Sequence, residues 1–369
     1  MNIYERLGLA RVINASGKMT ALGVSTIDEA VAKQMNEAAM SYVNIEDLYE
    51  RAGLEIAKYT GAEDSCVTSS AAAGIAISVA ACITGEDLSK VEKLPISTGM
   101  KNQIIIQKGH AVNFGAPVVQ MIRLGGGVTV EVGQANKVEA FHIENTINEN
   151  TAALLYVKSH HAVQKGMVSI EKMLQIAHGH NLPLIIDAAA EEDIKKYIAM
   201  GADLVVYSGA KAIEGCTSGF ITGKSRLIRA CRLQYKGVGR AMKVGKENIM
   251  GIVKAVELYS TRDKSQTVKE QKEKLEWLIS EVSNIRGLKA ALTQDEAGRE
   301  IYRAEIKVDS ALLGIDAYYL IKELQKGSPA VYVREHNVNL GRFSIDPRPL
   351  GKDEEKIIAH KLKQIIESL

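Results

Sequence analysis

Short apolar runs alternate along this chain with stretches of helical spacing. Residues 103–106, 128–132, 152–157, 182–186 and 204–207 are rich in Ile, Leu and Val and bounded by polar or turn-forming residues. Runs of that length predict strands, and their continuous hydrophobicity predicts burial on both faces, as in a parallel sheet. Between them, helical spacing covers residues 27–40, 47–59, 114–124, 136–150, 170–180, 190–200 and 225–233, with Gly61 and Gly201 as stop signals. Residues 11–13 are strand-like and run into turn chemistry, whereas 86–100 is polar and mixed, the pattern of a loop or lid. A long helix with breaks is predicted over 246–279. Beyond it lie strands near 301–308 and 330–333, a helix over 317–325 and a last helix from Asp353. The pattern predicts an α/β chain in three parts: an N-terminal arm and helix (1–45), a large domain (46–245), and a linking helix with a small α+β C-terminal domain (246–369).

The stretch 182–222 carries the sharpest chemistry. One apolar run ends on Asp187, a helical segment intervenes, and a second apolar run ends in Ser208-Gly209-Ala210-Lys211. Read as a βαβ unit, both strands point the same way, so Asp187 and Lys211 lie past strand C-termini, where open α/β sheets bind ligands. An acid and a lysine so placed suit pyridoxal 5′-phosphate (PLP). The lysine forms a Schiff base with its aldehyde, and the carboxylate keeps its ring nitrogen protonated. A loop carboxylate and a surface lysine are the plain alternative for each residue taken alone.

Ser208 suits the cofactor phosphate. Upstream, a short strand enters Ser69, Ser70 and Ala71 at the start of a small-residue helix, a place where backbone N–H groups and the helix dipole favour an anion. An ordinary serine N-cap reads the same way. His110 follows another strand, where an imidazole stacks on a pyridine ring or simply packs. His160 and His161 suggest metal at first, but no matching His or Cys cluster follows, so no metal site is expected; one of the pair is a candidate for reaching substrate. The glycines and bases of 234–243, including Lys236, Arg240 and Lys243, resemble an anion-binding segment, with a solvated loop as the rival. Arg334, Arg342 and Arg348 carry forks that suit a substrate carboxylate, with surface pairing as the rival.

Composition narrows the partners. The 369 residues are 46% hydrophobic and carry a net charge of +2, which argues against a nucleic-acid footprint. The apolar stretch 71–83 is too short to span a bilayer, and the start has no signal-peptide core. Four scattered cysteines without a CxxC pair predict reduced thiols in a cytoplasmic protein, Cys216 among them as a packed thiol near Lys211.

In order along the chain, Asn14-Ala15-Ser16-Gly17, Tyr42-Val43-Asn44-Ile45-Glu46, Thr60-Gly61-Ala62-Glu63, Ser69-Ser70-Ala71-Ala72-Ala73, Asp187 and Ser208-Gly209-Ala210-Lys211 resemble the bacterial selenocysteine synthase (L-seryl-tRNA(Sec) selenium transferase) family. The segments Arg240-Ala241-Met242-Lys243, Gly341-Arg342 and Asp346-Pro347-Arg348 share the resemblance, which spans nearly the whole chain. It implies a fold type I PLP enzyme: a large domain with a mostly parallel sheet between helices, a smaller α+β C-terminal domain, and homodimers with sites at the subunit interface. In that family's terms, Lys211 holds PLP, Asp187 pairs with the pyridinium and His110 stacks on the ring. Ser69, Ser70, Ala71 and Ser208 bind the phosphate, Arg348 takes the substrate carboxylate, and Arg240 with Lys236 or Lys243 holds a substrate phosphate.

Two departures shape the expected activity. The sequence starts at the arm, without the tRNA-holding domain of the synthases, and the family's Asn-rich phosphate loop is here Ser69-Ser70. The expectation is therefore the catabolic branch, an ammonia-lyase that removes water and then ammonia from a phosphorylated amino sugar acid. β-Substitution on a seryl or phosphoseryl substrate, tRNA-dependent synthesis and a catalytically idle PLP-fold protein are the alternatives.

Overall fold

The computed structural model describes residues 3–159, 161–295 and 300–369. Its strands are β1 (Val12–Ala15), β2 (Asp64–Thr68), β3 (Gln103–Gln107), β4 (Val128–Val132), β5 (Thr151–Val157), β6 (Leu184–Asp187), β7 (Leu204–Ser208), β8 (Gly219–Gly223), β9 (Leu288–Gln294), β10 (Tyr302–Val308), β11 (Ala330–Val333) and β12 (Arg342–Ile345). The chain forms two compact units, Ile27–Thr261 on the one hand and Met1–Thr26 with Arg262–Leu369 on the other.

The larger unit is built on one sheet of order β2-β8-β7-β6-β5-β3-β4. β8 runs antiparallel to both of its neighbours, and the pairs from β7 through β4 are parallel. The apolar runs are buried on both faces because successive side chains enter opposite cores. Ile105, Leu154, Ile186 and Val205 face one, and Ile104, Ile106, Leu155, Ile185 and Val206 face the other. The helix Ala71–Thr84 supports the second core and Ile170–Gly179 the first. From β3 the chain moves outward to β4, then returns to β5 and continues to β6 and β7 on the other side. The gap between the C-terminal ends of β3 and β5 is thus a topological switch point, the kind of place where such sheets open a binding crevice.

Helix ends follow local chemistry. Asn44 accepts from the N–H groups of Glu46 and Asp47 to start Ile45–Thr60, and Gly61 ends it at φ 75°. Several helices are shorter than their spacing predicts. Of 190–200, only Lys196–Ala199 is helical. Asp193 accepts from the N–H groups of Lys195 and Lys196 at 3.0 Å each, which caps the chain so that the helix begins only at Lys196. Of 136–150, only Ala140–Glu144 is helical, because Asn148 turns the chain by accepting from the Asn150 N–H. Of 114–124, Val118–Leu124 forms behind Pro117. The stretch read as a loop or lid contains the helix Leu88–Lys93, anchored by the fully buried Val91.

Helix Glu29–Ala39 packs on Lys246–Thr261 within the large unit, and Met35 lies against Gly251, which has no Cβ to obstruct it. The long helix predicted over 246–279 is two helices. Asp263 caps the second, Lys264–Ser283, by accepting from the N–H groups of Ser265 and Gln266, so the break coincides with the boundary between the units. In the smaller unit β1 pairs in parallel with β11, and β12-β10-β9 form an antiparallel sheet. Its core joins Phe343, Ile306 and Val331 to Leu278, Leu320 and Ile358 of three helices. No helix among the described residues is long and apolar enough to cross a membrane.

Gly219 controls how closely the helix Ala71–Thr84 approaches the sheet. It pairs with Thr68 on one side and Ser208 on the other, and a Cβ there would lie 2.7 Å from both Ser70 C and Ala71 N and 2.8 Å from Tyr207 O. All three are backbone atoms that cannot rotate away. We expect Gly219→Ala to destabilise the protein by about 1–3 kcal/mol, read as a lower urea midpoint with an unchanged slope. An unchanged midpoint would show that the backbone there yields.

Candidate active site

Strand ends of the larger unit bring the candidate residues together. Asp187 is the last residue of β6 and 6% exposed. One of its oxygens accepts the Ala189 N–H, and no donor reaches the other among the described residues. Burial pushes its carboxyl up to about 6, while the Ala189 hydrogen bond and the positive charge of Lys211 pull the other way. Lys211 lies in the turn after β7, half-buried. That turn is fixed by two backbone bonds, Gly209 N–H to Ser218 O at 2.9 Å and Gly215 N–H to Gly209 O at 2.8 Å.

An anion cradle lies beside it. The Ser70 hydroxyl accepts from the Ala73 N–H at 3.0 Å, so this serine is the helix N-cap. The N–H groups of Ala71 and Ala72 have no acceptor among the described residues, nor do the hydroxyls of Ser69 and Ser208 have partners there. Gly219 lies between Ser208 and the helix start, so donors from two elements converge where an added methyl would not fit. This donor set fits a phosphate. The vacant oxygen of Asp187 fits a protonated ring nitrogen, so the residues present suit PLP.

His110 is fully buried on the turn Lys108–His110 after β3. The Val157 N–H donates to its Nδ1 at 3.3 Å, which leaves Nε2 to donate to Val163 O at 3.1 Å. Burial lowers its pKa to about 4, so the ring is neutral, and it meets Tyr156 edge-on with centroids 4.5 Å apart. With both nitrogens occupied, His110 has no proton to give.

The 234–243 segment is ordered as two 3₁₀ turns, Gln234–Lys236 and Val238–Met242. Tyr235 donates to Val67 O at 2.6 Å and stacks on Tyr49 at 4.8 Å, while Tyr49 donates to Val244 O at 3.2 Å. These two tyrosines pin a segment that the sequence reads as a loop. Lys236, Arg240 and Lys243 are all exposed on it, and Lys236 lies 3.6 Å from an exposed Glu46.

Within the smaller unit, the Arg348 fork engages Asp346 at 2.9 and 2.7 Å, and Arg303 reaches the same carboxylate at 3.2 Å. Both arginines hold Asp346 below the usual carboxylate range against a large burial penalty. Arg342 pairs with Glu305 at 3.2 Å. Burial and the charge of Arg303 lower the pKa of Arg334, whose guanidinium has no hydrogen bond or ion pair among the described residues. His160 lies outside the described residues, and His161 is exposed. No group of three His, Cys, Asp or Glu residues that could hold a metal occurs among the described residues.

Sequence reasoning passed over Gly219, which has no side chain to signal and shows its part only through what packs against it.

The profile of the L-seryl-tRNA selenium transferase family matches residues 12–317. The chain belongs to that family. It is 48% identical to the D-glucosaminate-6-phosphate ammonia lyase of Salmonella typhimurium (strain 14028s / SGSC 2262) over 99% of this chain and 98% of that protein. It is 41% identical to a 5'-C-glycyluridine monooxygenase-decarboxylase of a Streptomyces species, over 98% and 92% of the two chains. A solved structure of a D-glucosaminate-6-phosphate ammonia-lyase superposes with a TM-score of 0.95, covering 100% of this chain and 99% of that one. The architecture is that of the fold type I PLP-dependent transferases.

The elevated pKa of Asp187 gives a pH signature. A carboxyl that holds its proton more tightly folded than unfolded costs stability when ionised. The cost is absent below about 4 and complete above about 6. We expect Asp187→Asn to raise the stability of the cofactor-free protein by ~1–3 kcal/mol at pH 8, with the gain vanishing as pH falls toward 4, and to weaken PLP binding. Melting curves across that range check it, and a gain independent of pH would contradict it.

Proposed function

We propose that this member of the family is a PLP-dependent ammonia-lyase that converts D-glucosaminate 6-phosphate to 2-keto-3-deoxygluconate 6-phosphate. The observation that carries the reading is Asp187, with its vacant oxygen, beside Lys211 and the anion cradle at neighbouring strand ends. The full-length similarity to the Salmonella enzyme supports the substrate. PLP, when bound, supplies an electron sink for the pair of electrons released at the substrate Cα.

The chain's own residues supply the rest. Lys211 would hold the cofactor, and its free amine would take the Cα proton. Asp187 keeps a proton on the ring nitrogen. Ser69, Ser70, Ala71 and Ser208 grip the phosphate, and the neutral face of His110 packs on the ring. Arg348, already oriented by Asp346, takes the substrate carboxylate, with Arg342 as a further candidate. Arg240 with Lys236 or Lys243 holds the substrate phosphate, the pinned turns around Tyr235 lowering the ordering cost.

The protein acts as a homodimer or larger homo-oligomer, with sites at subunit interfaces. The exposed Met40, Tyr42 and Val43 support such a surface. Neither nucleic acid nor a membrane enters this reading. Four free cysteines, three of them buried, fit the reducing cytoplasm.

Purified protein supplied with PLP is expected to release ammonia and 2-keto acid in equal amounts from D-glucosaminate 6-phosphate. Lys211→Ala should lose the visible absorbance of the bound cofactor and at least about 10³-fold of the turnover. Retention of both by the variant would overturn the assignment. A substitution product in place of ammonia would favour β-substitution.

A further inference from the structure

At one end of the strands in the smaller unit, three arginines meet two carboxylates. Arg303 on β10 donates from Nε to Asp346 at 3.2 Å and from Nη1 to Asp295 at 3.4 Å. Arg348 gives Asp346 its Nε at 2.9 Å, its Nη2 at 2.7 Å and its backbone N–H at 3.2 Å. Asp346 is fully buried, and each of its oxygens accepts two of these four bonds. The third arginine is different. Arg334 follows β11, and its backbone exchanges bonds of 2.8 and 3.0 Å with Ser344 of β12, so its place is fixed. Its half-buried guanidinium has no hydrogen bond or ion pair among the described residues. It still feels the charges of Arg303, Asp346 and Arg348, so it belongs to the same cluster. Three cations against two anions leave one positive charge over, and geometry assigns it to Arg334.

The N-terminal arm borders this end. Ala15 accepts the Asp346 N–H at 2.8 Å and pairs in parallel with Val333, so Ser16 stands opposite Arg334 one step further on. Ser16 is 9% exposed; its N–H donates to Asn14 Oδ1, and its hydroxyl has no partner among the described residues. Gly17 turns the arm at φ 100°, where an added Cβ would lie 3.2 Å from Asp346 Oδ2. A partly desolvated guanidinium costs free energy until an anion joins it. Arg348 has already spent on Asp346 the Nε–Nη2 edge that grips a carboxylate side-on, whereas the Arg334 fork is open. One surplus charge matches a monoanion; a phosphate dianion would put excess negative charge beside the buried Asp346. We propose that Arg334, with the Ser16 hydroxyl as a second donor, forms a carboxylate-binding site in the smaller unit. For its occupant the inference rests on the ammonia-lyase reading, which makes that occupant the substrate carboxylate. Arg334 then makes the stronger contact, and Arg348 stands beside it with its charge largely met by Asp346.

The test compares PLP-loaded wild type, Arg334→Gln, Arg334→Lys and Ser16→Ala on D-glucosaminate 6-phosphate and, as a competitor, its C1 amide. We expect Arg334→Gln to raise KM for the acid about 10²-fold, with kcat within about ten-fold of wild type. Its inhibition constant for the amide should change less than about three-fold, since the amide carries no charge to lose. Arg334→Lys, which keeps the charge without the fork, should raise KM about ten-fold, and Ser16→Ala about three-fold. Independently of the reaction, formate in place of chloride at equal ionic strength should raise the melting midpoint of wild type by about 1–2 °C and leave that of Arg334→Gln where it was. An unchanged KM for the acid would overturn the inference, as would equal losses on acid and amide. So would loss of cofactor absorbance in both Arg334 variants with lowered melting midpoints, which would make Arg334 a structural residue. Wild-type protein that releases no ammonia would refute the ammonia-lyase reading, and the formate comparison would then decide the site alone. A rise in wild type only would keep the site, and an equal response in both proteins would sink it.

Discussion

A buried carboxylate that accepts one N–H among the described residues and feels the charge of Lys211 is the constraint around which the larger unit is arranged. Asp187 has given up most of its water at the end of β6, and burial pushes it toward its neutral form. The Ala189 hydrogen bond and the charge of Lys211 offset part of that cost; under the proposed reading, a protonated ring nitrogen would offset more of it. The strand that delivers Asp187 is only four residues long, and its place is fixed by parallel neighbours on both sides, β5 and β7.

The second requirement is close approach. The donors of the candidate cradle come from a helix start and from a strand end that Gly219 lets nearly touch. Backbone N–H groups make a rigid receptor with no rotamers to order, and small residues on both sides keep it open. His110 adds a surface of another kind. It is neutral and saturated with backbone bonds, so a group beside it meets no proton donor.

Two relatives with different chemistries align over nearly the whole of this chain, one named as an ammonia lyase and one as a monooxygenase-decarboxylase. The scaffold alone therefore does not choose the reaction. What chooses it is which groups beside the ring can give and take protons, and what the surrounding cations hold. In this chain the candidates are Lys211 after β7 and, within the smaller unit, the arginines gathered around Asp346.

The sequence by itself determined the buried strands, because short apolar runs rich in Ile, Leu and Val and bounded by turn residues suit strands buried on both faces. It also showed that Asp187, Ser208 and His110 sit at strand ends, because parallel strands linked by crossovers must point the same way. Where it misjudged, side-chain contacts had taken over backbone groups that local spacing assigns to a helix. The segment after Asp187 coils only from Lys196, where the Asp193 side chain accepts from the N–H groups of Lys195 and Lys196. The segment after Gln234 is ordered only because Tyr49 and Tyr235 meet from positions far apart in the chain. Only the folded structure could show that Ser70 is spent on a helix cap while Ala71 and Ala72 keep theirs to give, or that Gln164 turns its oxygen to Lys158. Those facts depend on which donor finds which acceptor across long sequence separations, and periodicity carries no record of that.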